Sequence, residues 1–109
     1  MTIKVIDDFS KTPGARYRSE GDYSGEEFRE ELLEPKFIDS KNNHEKLIID
    51  LDGGYGYSTS FLEEAFGGLA RKYDPNEVDS IIDLISQDEP SLIEEIKGYI
   101  LNARKGRQQ

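Results

Sequence analysis

The chain opens with an alternating apolar pattern and then becomes irregular. Ile3 and Val5 alternate with polar neighbours, which predicts a strand at about residues 2–7. Residues 8–21 are interrupted by proline and glycine, and within them residues 16–18 are a candidate for a short second strand.

The next segment has the spacing of an amphipathic helix. Ser24 and Glu27 are placed as in a capping box, which satisfies free N–H groups of the first helical turn. Apolar side chains from Phe28 onward share one face, so we predict a helix that begins at Ser24. We predict that it ends at Pro35, because proline has no N–H to donate, and that the polar residues 39–45 form a loop.

An apolar strand and a second helix make up the middle of the chain. Residues 47–51 are nearly all apolar, as in a strand buried on both faces, and Gly53 ends the run. Apolar side chains at helical spacing then predict a helix at about residues 60–72. Gly67 and Gly68 each weaken that helix by about 1 kcal/mol relative to alanine, which is typical of a place where another backbone comes close.

Residues 74–86 fit both a helix and a strand. Their apolar spacing is helical, but the end of the segment is short and β-branched. We predict a helical turn at about residues 75–79 and a strand at about 81–86, because an α/β fold needs a strand between the flanking helices. Asp88 and Pro90 open a last helix. Its apolar stripe consists of Leu92, Ile93, Ile96 and Ile100.

Length and composition agree with one small domain and exclude several classes of function. The chain has 109 residues, no cysteine and one histidine, so disulfides and thiolate chemistry are excluded and little is left for a zinc site. Its net charge of −9 argues against nucleic-acid binding, which needs clustered cations. The alternation of strands and helices predicts a single α/β domain over residues 1–109. No motif in the sequence calls for a cofactor, so we expect none.

The ends of the chain bear on its location. The acidic N-terminus lacks the apolar run of a signal peptide, and no apolar segment is long enough to cross a membrane. We therefore expect a cytoplasmic protein without membrane contact. Arg104, Lys105 and Arg107 form a basic tail at about residues 104–109, which we expect to complement a helix C-terminus or to be disordered.

The strand-to-helix transition at residues 46–70 is the most informative part of the chain. An apolar strand runs into a glycine-rich turn and then into three hydroxyl residues, Ser58, Thr59 and Ser60. Such a transition collects hydroxyls and free N–H groups at one edge of a sheet, where they hold a phosphate, cap a helix or face a partner. Ser60 and Glu63 have capping-box spacing, which would leave Thr59 free.

Asp50 and Asp52 allow a catalytic interpretation, which the neighbouring residues disfavour. In haloacid-dehalogenase-type phosphatases the first aspartate of such a pair attacks phosphate and the second is the general acid. That motif has a threonine where this chain has Gly54, and no later lysine with paired acids for magnesium is evident. The simpler interpretation is that the two carboxylates end a strand and cap a turn, so we predict no catalytic residue and no metal site.

Two stretches of the chain resemble the STAS-like family of bacterial small proteins, a family of unknown function. They are RYRSEGDYSGEEFREELLE at residues 16–34 and LIIDLDGGYGYSTSFLEEAFGGL at residues 47–69. The resemblance implies a small STAS-like α/β domain, with a mixed central sheet of about four strands and three to four helices packed mainly on one face. STAS domains themselves are found in sulfate transporters and in anti-sigma factor antagonists.

Anti-sigma factor antagonists are phosphorylation switches, and the resemblance implies where a switch would lie. Their Asp-Ser-Ser-Gly turn falls on residues 58–61, so that Thr59 takes the place of the usual acceptor and Ser60 that of the second serine. Ser58 and Phe61 depart from the pattern. The phosphoacceptor candidates are therefore Thr59, Ser60 and Ser58. The implied protein partner is a histidine-kinase-like ATPase or another anti-sigma-type regulator.

Together these observations favour a non-catalytic regulatory domain that binds a protein partner through its strand-to-helix turn. The surface predicted for this contact consists of Asp52, Gly53, Gly54, Tyr55, Tyr57 and Phe61, together with Arg16 and Arg18. The alternative is a small-ligand or nucleotide-binding domain in which the two arginines and the glycine turn hold phosphate. A phosphatase is the least favoured of the three.

Overall fold

The structure is a computed structural model that describes residues 1–103, and this part of the chain forms three strands and five helices. The prediction for the basic tail at residues 104–109 lies outside the described residues. None of the described helices combines the length and the apolar character of a membrane span. The elements in chain order are β1 (Thr2–Lys4), α1 (Val5–Asp8), α2 (25–42), β2 (Leu47–Asp50), α3 (59–72), α4 (Pro75–Ile81), β3 (Ile82–Ile85) and α5 (Ser91–Leu101).

Helix α2 continues past Pro35, so the predicted end at this proline and the predicted loop at 39–45 were wrong. The reason is a wide π turn at Arg29–Leu33, in which the Glu34 N–H donates to the Arg29 carbonyl five residues back. The backbone hydrogen bonds of the helix therefore change from one spacing to another just before Pro35, which has no N–H to donate, and the helix continues past the proline. Glu34–Asn42 then completes the helix.

The sheet contains three parallel strands in the order β1-β2-β3. In register, Ile3 lies beside Ile49 and Ile49 beside Leu84. The sheet is therefore parallel rather than mixed, and it has three strands rather than about four. The candidate strand at residues 16–18 is missing because the Glu20 carboxylate accepts the Tyr17 N–H at 3.1 Å and closes a 3-10 turn at Arg18–Glu20.

Only one face of the sheet is buried. Leu47 and Ile49 point into the core, where they meet apolar side chains of α2, α3 and α5. Ile48 and Asp50 alternate with them and are half-buried, so the prediction of a strand buried on both faces was wrong. An open face is unusual for a parallel sheet, whose two faces are normally both covered by helices.

The ends of β1 and β3 show how side chains set the element boundaries. Strand β1 stops at Lys4, earlier than predicted, because the Lys4 N–H donates to the Asp8 carboxylate at 2.8 Å and the chain turns into α1. Residues 75–86 are confirmed as a helix followed by a strand, although the helix extends to Ile81. Asp74 starts that helix by accepting the Glu77 N–H at 3.1 Å.

Two glycines, Gly25 and Gly68, let the two long helices come together. A Cβ on Gly25, the first residue of α2, would lie 2.6 Å from the carbonyl oxygen of Phe61 in α3. Gly67 and Gly68 were predicted to admit another backbone, but a Cβ on Gly68 would instead lie 2.8 Å from Nε of Arg29. The backbone contact is therefore made at Gly25, and Gly68 makes room for an arginine side chain.

Replacing Gly25 by alanine tests this contact. The added methyl group cannot fit against the Phe61 carbonyl, so we expect the free energy of unfolding to fall by about 1–3 kcal/mol. Gly98→Ala in α5 is the matched control, because the nearest atom to its Cβ would be 4.0 Å away. That variant should gain about 0.5–1 kcal/mol from better helix propensity. Chemical denaturation measures both, and a Gly25→Ala protein as stable as wild type would contradict the close approach.

Candidate functional site

The strand-to-helix junction, defined as residues 50–61, is held to the loop after β3 by aspartates. Asp50 Oδ1 accepts the Asp52 N–H at 3.0 Å, which forms a tight turn directly after β2. Asp52 Oδ1 then accepts the Asp88 N–H at 2.9 Å, and Asp88 Oδ2 accepts the Gly53 N–H at 2.9 Å. We call this reciprocal pair, Asp52 and Asp88, the aspartate clamp.

The aspartate clamp explains what the two strand-end carboxylates do. Both Asp50 and Asp52 accept backbone N–H groups, as the interpretation of a strand end and a capped turn predicted. Within residues 1–103 no group of three or more histidine or acidic side chains is arranged to hold a metal ion. Asp88 was predicted only to open the last helix, and its bond to Gly53 spans too many residues to be visible in a local pattern.

The two tyrosines of the junction have different environments. Tyr57 is half-buried and donates its hydroxyl to the Leu51 carbonyl oxygen at 3.1 Å. Burial raises the pKa of Tyr57, and the charges of Asp50 and Asp52 raise it further, so the phenol keeps its proton and its hydrogen bond. Tyr55, at the tip of the turn, is 84% exposed. The ring of Tyr55 is therefore free to contact another molecule, while that of Tyr57 braces the turn.

Ser58, rather than Ser60, caps helix α3. Ser58 Oγ accepts the Phe61 N–H at 3.1 Å and lies 3.4 Å from the Gly14 carbonyl oxygen, so its hydroxyl both accepts and donates. The predicted capping box of Ser60 and Glu63 was wrong, because the Glu63 carboxylate bonds arginine side chains. Both Ser58 and Ser60 are possible caps by local spacing, and the contact with the Gly14 carbonyl, distant in sequence, favours Ser58.

Thr59 and Ser60 therefore lie exposed in the first turn of α3. Thr59 is close to Tyr99, whose hydroxyl donates to Glu95 at 2.6 Å. Burial and the Glu95 carboxylate raise the pKa of Tyr99, and a side-chain hydrogen bond with Thr59 acts against this rise. Phe61, which was predicted to belong to the contact surface, is buried instead.

Arg16 and Arg18 are engaged by carboxylates. Arg16 Nη1 contacts Glu63 at 2.5 Å and Glu64 at 3.6 Å. Arg18 contacts both Glu30 and Glu31 at 3.1 Å. Neither guanidinium group is therefore an unoccupied phosphate ligand.

A partly buried ion-pair network, which sequence patterns did not reveal, joins α2 and α3. Glu64 is only 7% exposed and accepts from Arg29 at 2.8 Å. Glu63 accepts from Arg71 at 2.5 Å as well as from Arg16. Burial by itself would raise the pKa of Glu63, but these two arginines outweigh it and hold the pKa below its ordinary value.

The cavities of the described chain also bear on ligand binding. The cavity at the junction, between Tyr55, Tyr57 and Asp88, has a volume of about 160 Å³. Sites for small molecules usually measure about 300–1,000 Å³. A larger cleft of about 740 Å³ lies at the opposite end of the sheet, next to the amino-terminal ends of β2 and β3, where Lys41 pairs with Glu77 at 3.1 Å. The geometry of the junction is therefore more open to a protein surface than to a nucleotide.

The aspartate clamp can be tested by removing one carboxylate. In Asp88→Ala the Gly53 N–H loses its acceptor, so we expect faster amide exchange at Gly53 and a loss of about 1 kcal/mol of stability. Asp22→Ala is the matched control, because this exposed carboxylate makes no hydrogen bond within residues 1–103. Exchange at Gly53 that is equal in wild type and Asp88→Ala would show that the two loops are not joined in this way.

The ion-pair network makes the stability depend on pH. A carboxylate whose pKa is lowered by folding stabilises the protein above its unfolded-state pKa, and this contribution is lost as the pH falls through the folded-state pKa. We therefore expect Glu63→Gln to be less stable than wild type at neutral pH, and the difference to shrink as the pH falls below the ordinary value of 4.5 and to vanish below the lowered pKa of the folded protein. Thermal unfolding at several pH values measures this. Glu94→Gln, at an exposed site, should show no such dependence, and a pH-independent difference for Glu63→Gln would contradict the assignment.

Comparison with known proteins identifies the family of this chain. A family model described as "STAS-like domain of unknown function (DUF4325)" matches residues 24–92, which include the whole junction. No curated protein and no solved structure gives a significant match. The match covers more than half of the chain and confirms the resemblance seen in residues 16–34 and 47–69, so this chain belongs to the family of STAS-like domains of unknown function.

Proposed function

We propose that this chain is a non-catalytic regulatory domain that binds a protein partner through the junction and is controlled by phosphorylation in the first turn of α3. The observation that carries the proposal is that the three neighbouring hydroxyl residues have different structural roles. Ser58 is used as the helix cap, while Thr59 and Ser60 are exposed beside it. A kinase can therefore modify either of the latter without removing the cap.

The shape of the junction supports partner binding. Tyr55 projects from a turn that the aspartate clamp and the Tyr57 hydroxyl hold in place. An exposed aromatic ring on a rigid turn makes a good contact residue, because little conformational entropy is lost when it is covered. Since Asp50 and Asp52 bond backbone N–H groups, the same turn supports a binding role rather than a catalytic one.

The electrostatics of α3 favour Ser60 over Thr59 as the acceptor. A phosphate adds about −1.5 to −2 charges, and the N-terminal turn of a helix stabilises such an anion. Ser60 precedes both carboxylates that Arg16 contacts, Glu63 and Glu64, by three and four residues, whereas Thr59 is within this spacing of Glu63 only, so a phosphate on Ser60 would lie nearer to the Arg16 guanidinium. Thr59 instead lies beside Tyr99, which is bonded to the carboxylate of Glu95.

Two arguments indicate the kind of partner, namely the charge at the junction and the family resemblance. The first turn of α3 carries no charged side chain, so it suits a partner surface that is neutral or acidic at this point, and an added phosphate would repel that surface. In related anti-sigma factor antagonists the partner is a histidine-kinase-like ATPase. We propose a regulator of that kind as both the binding partner and the kinase.

Affinity capture from host lysate tests the switch. Wild type, Thr59→Glu and Ser60→Glu are used as baits, and the bound proteins are compared by quantitative mass spectrometry. We expect at least one protein to be recovered with wild type and lost with Ser60→Glu, because the new carboxylate lies in the contact. Thr59→Glu should have a smaller effect.

Ser91→Glu is the matched control for this experiment. Ser91 is an exposed serine in the first turn of α5, so the substitution adds the same charge at an equivalent helical position away from the first turn of α3. It should bind every protein that wild type binds. Equal recovery of all proteins by the four baits would refute the switch.

A further inference from the structure

The cavity at the junction lies at the carboxyl ends of β2 and β3, where Leu51 and Ser86 follow the strands. This end of a parallel sheet is where α/β folds usually bind their ligands. A cavity of about 150 Å³ is large enough to hold a benzene-sized group, so a volume of about 160 Å³ admits one side chain rather than a nucleotide. The size of the cavity therefore suits a single anchor residue of a protein partner.

The walls of the cavity are apolar at the base and acidic at the rim. Leu51 and Leu92 are each 4% exposed and form the base. Tyr55, Asp88 and Glu89 are exposed and form the rim. No lysine, arginine or histidine of the described chain lines the cavity. The cavity therefore combines an apolar base with negative charge that no neighbouring cation balances.

Both carboxylates of the rim are available to a ligand. Asp88 uses one oxygen, Oδ2, to accept the Gly53 N–H at 2.9 Å, and its Oδ1 accepts no hydrogen bond within residues 1–103. Glu89 is held by its backbone, because its carbonyl oxygen accepts the Ser86 hydroxyl at 2.6 Å and the Leu92 N–H at 3.0 Å. Within the same residues no lysine or arginine forms an ion pair with either carboxylate.

The start of α5, which lies beside the cavity, does not favour an anion there. A helix start binds anions through its free N–H groups. Here the Leu92 N–H donates to the Glu89 carbonyl oxygen at 3.0 Å. The Ile93 N–H likewise donates to the Pro90 carbonyl oxygen at 3.2 Å. Since these donors are used and two carboxylates stand at the rim, a cation is the complementary ligand.

We propose that the junction cavity receives one basic side chain, a lysine or an arginine, of the protein partner. Its methylene stem would lie against Leu51 and Leu92, and its charged end would lie between Asp88 and Glu89. The exposed ring of Tyr55 would lie next to the cation and add a cation–π attraction. This inference rests on the partner binding proposed for the junction and adds the chemistry of the anchor residue. The first turn of α3 would face a different part of the same partner.

A titration with n-butylammonium, which has the carbon chain and the charge of a lysine side chain, tests the cavity without any partner. In proton–nitrogen correlation spectra of wild type, we expect saturable shifts of the Gly54, Ser86 and Leu92 amides. Glu89→Gln removes one rim charge, so the dissociation constant should rise roughly threefold. Glu94→Gln, at an exposed site of α5 outside the cavity, should leave it unchanged. The proposal would be overturned by the absence of saturable shifts, or by butan-1-ol or butyrate binding as tightly as n-butylammonium.

Affinity capture with Glu89→Lys separates this inference from the proposed function. The added ammonium group repels a basic anchor, so we expect roughly tenfold less recovery of the protein that Ser60→Glu also loses. Glu94→Lys is the matched control and should recover that protein as wild type does. Equal recovery with Glu89→Lys would overturn the basic anchor and leave the switch intact. If recovery of every protein were independent of Ser60 while n-butylammonium bound as expected, the switch would fail and the preference of the cavity for a basic side chain would be supported.

Discussion

The absence of a side chain at Gly25 is the constraint on which the arrangement of this domain depends. Helix α2 can begin directly against the Phe61 carbonyl of α3 only because there is no Cβ between them. The capped first turns of both helices therefore lie side by side, with the rings of Phe28 and Phe61 at 5.7 Å beneath them. Further along, the contact continues as the ion pair of Arg29 with Glu64. The exposed hydroxyls of the junction stand on this rigid base.

Local sequence patterns predicted most helices and strands of this chain. They failed where contacts not visible in the pattern determine the structure. Apart from α1, which was not predicted, and the candidate strand at residues 16–18, which is absent, the order of strands and helices was correct, since apolar periodicity is a local property of the sequence. The helix through Pro35 was missed because the wide turn at Arg29–Leu33 moves the hydrogen-bond register away from the proline. The fourth strand was not found, because residues 18–20 form a turn that the Glu20 side chain stabilises.

The junction shows the same division between local and distant information. Its position, its exposed tyrosine and its hydroxyls could be predicted, because they follow from a strand, a glycine turn and a helix in sequence. The choice of Ser58 as the cap could not, since it depends on Gly14, and neither could the bond between Asp88 and Gly53. Arg16 and Arg18 were expected at a phosphate, but the many acidic residues of α2 and α3 supply nearer partners.

The junction presents the exposed ring of Tyr55 and the exposed hydroxyls of Thr59 and Ser60. Asp88, three residues after β3, accepts the Gly53 N–H, so the sheet and the junction are connected through one short loop.

Site-specific photo-crosslinking in host cells tests the central claim most directly. A photoreactive amino acid is placed at Tyr55 in one protein and at Ile38, an exposed position on α2, in another. The account predicts a discrete crosslinked partner for position 55 that is absent for position 38 and is lost when Ser60→Glu is added. Crosslinking to the same proteins from both positions, or crosslinking that Ser60→Glu leaves unchanged, would contradict it.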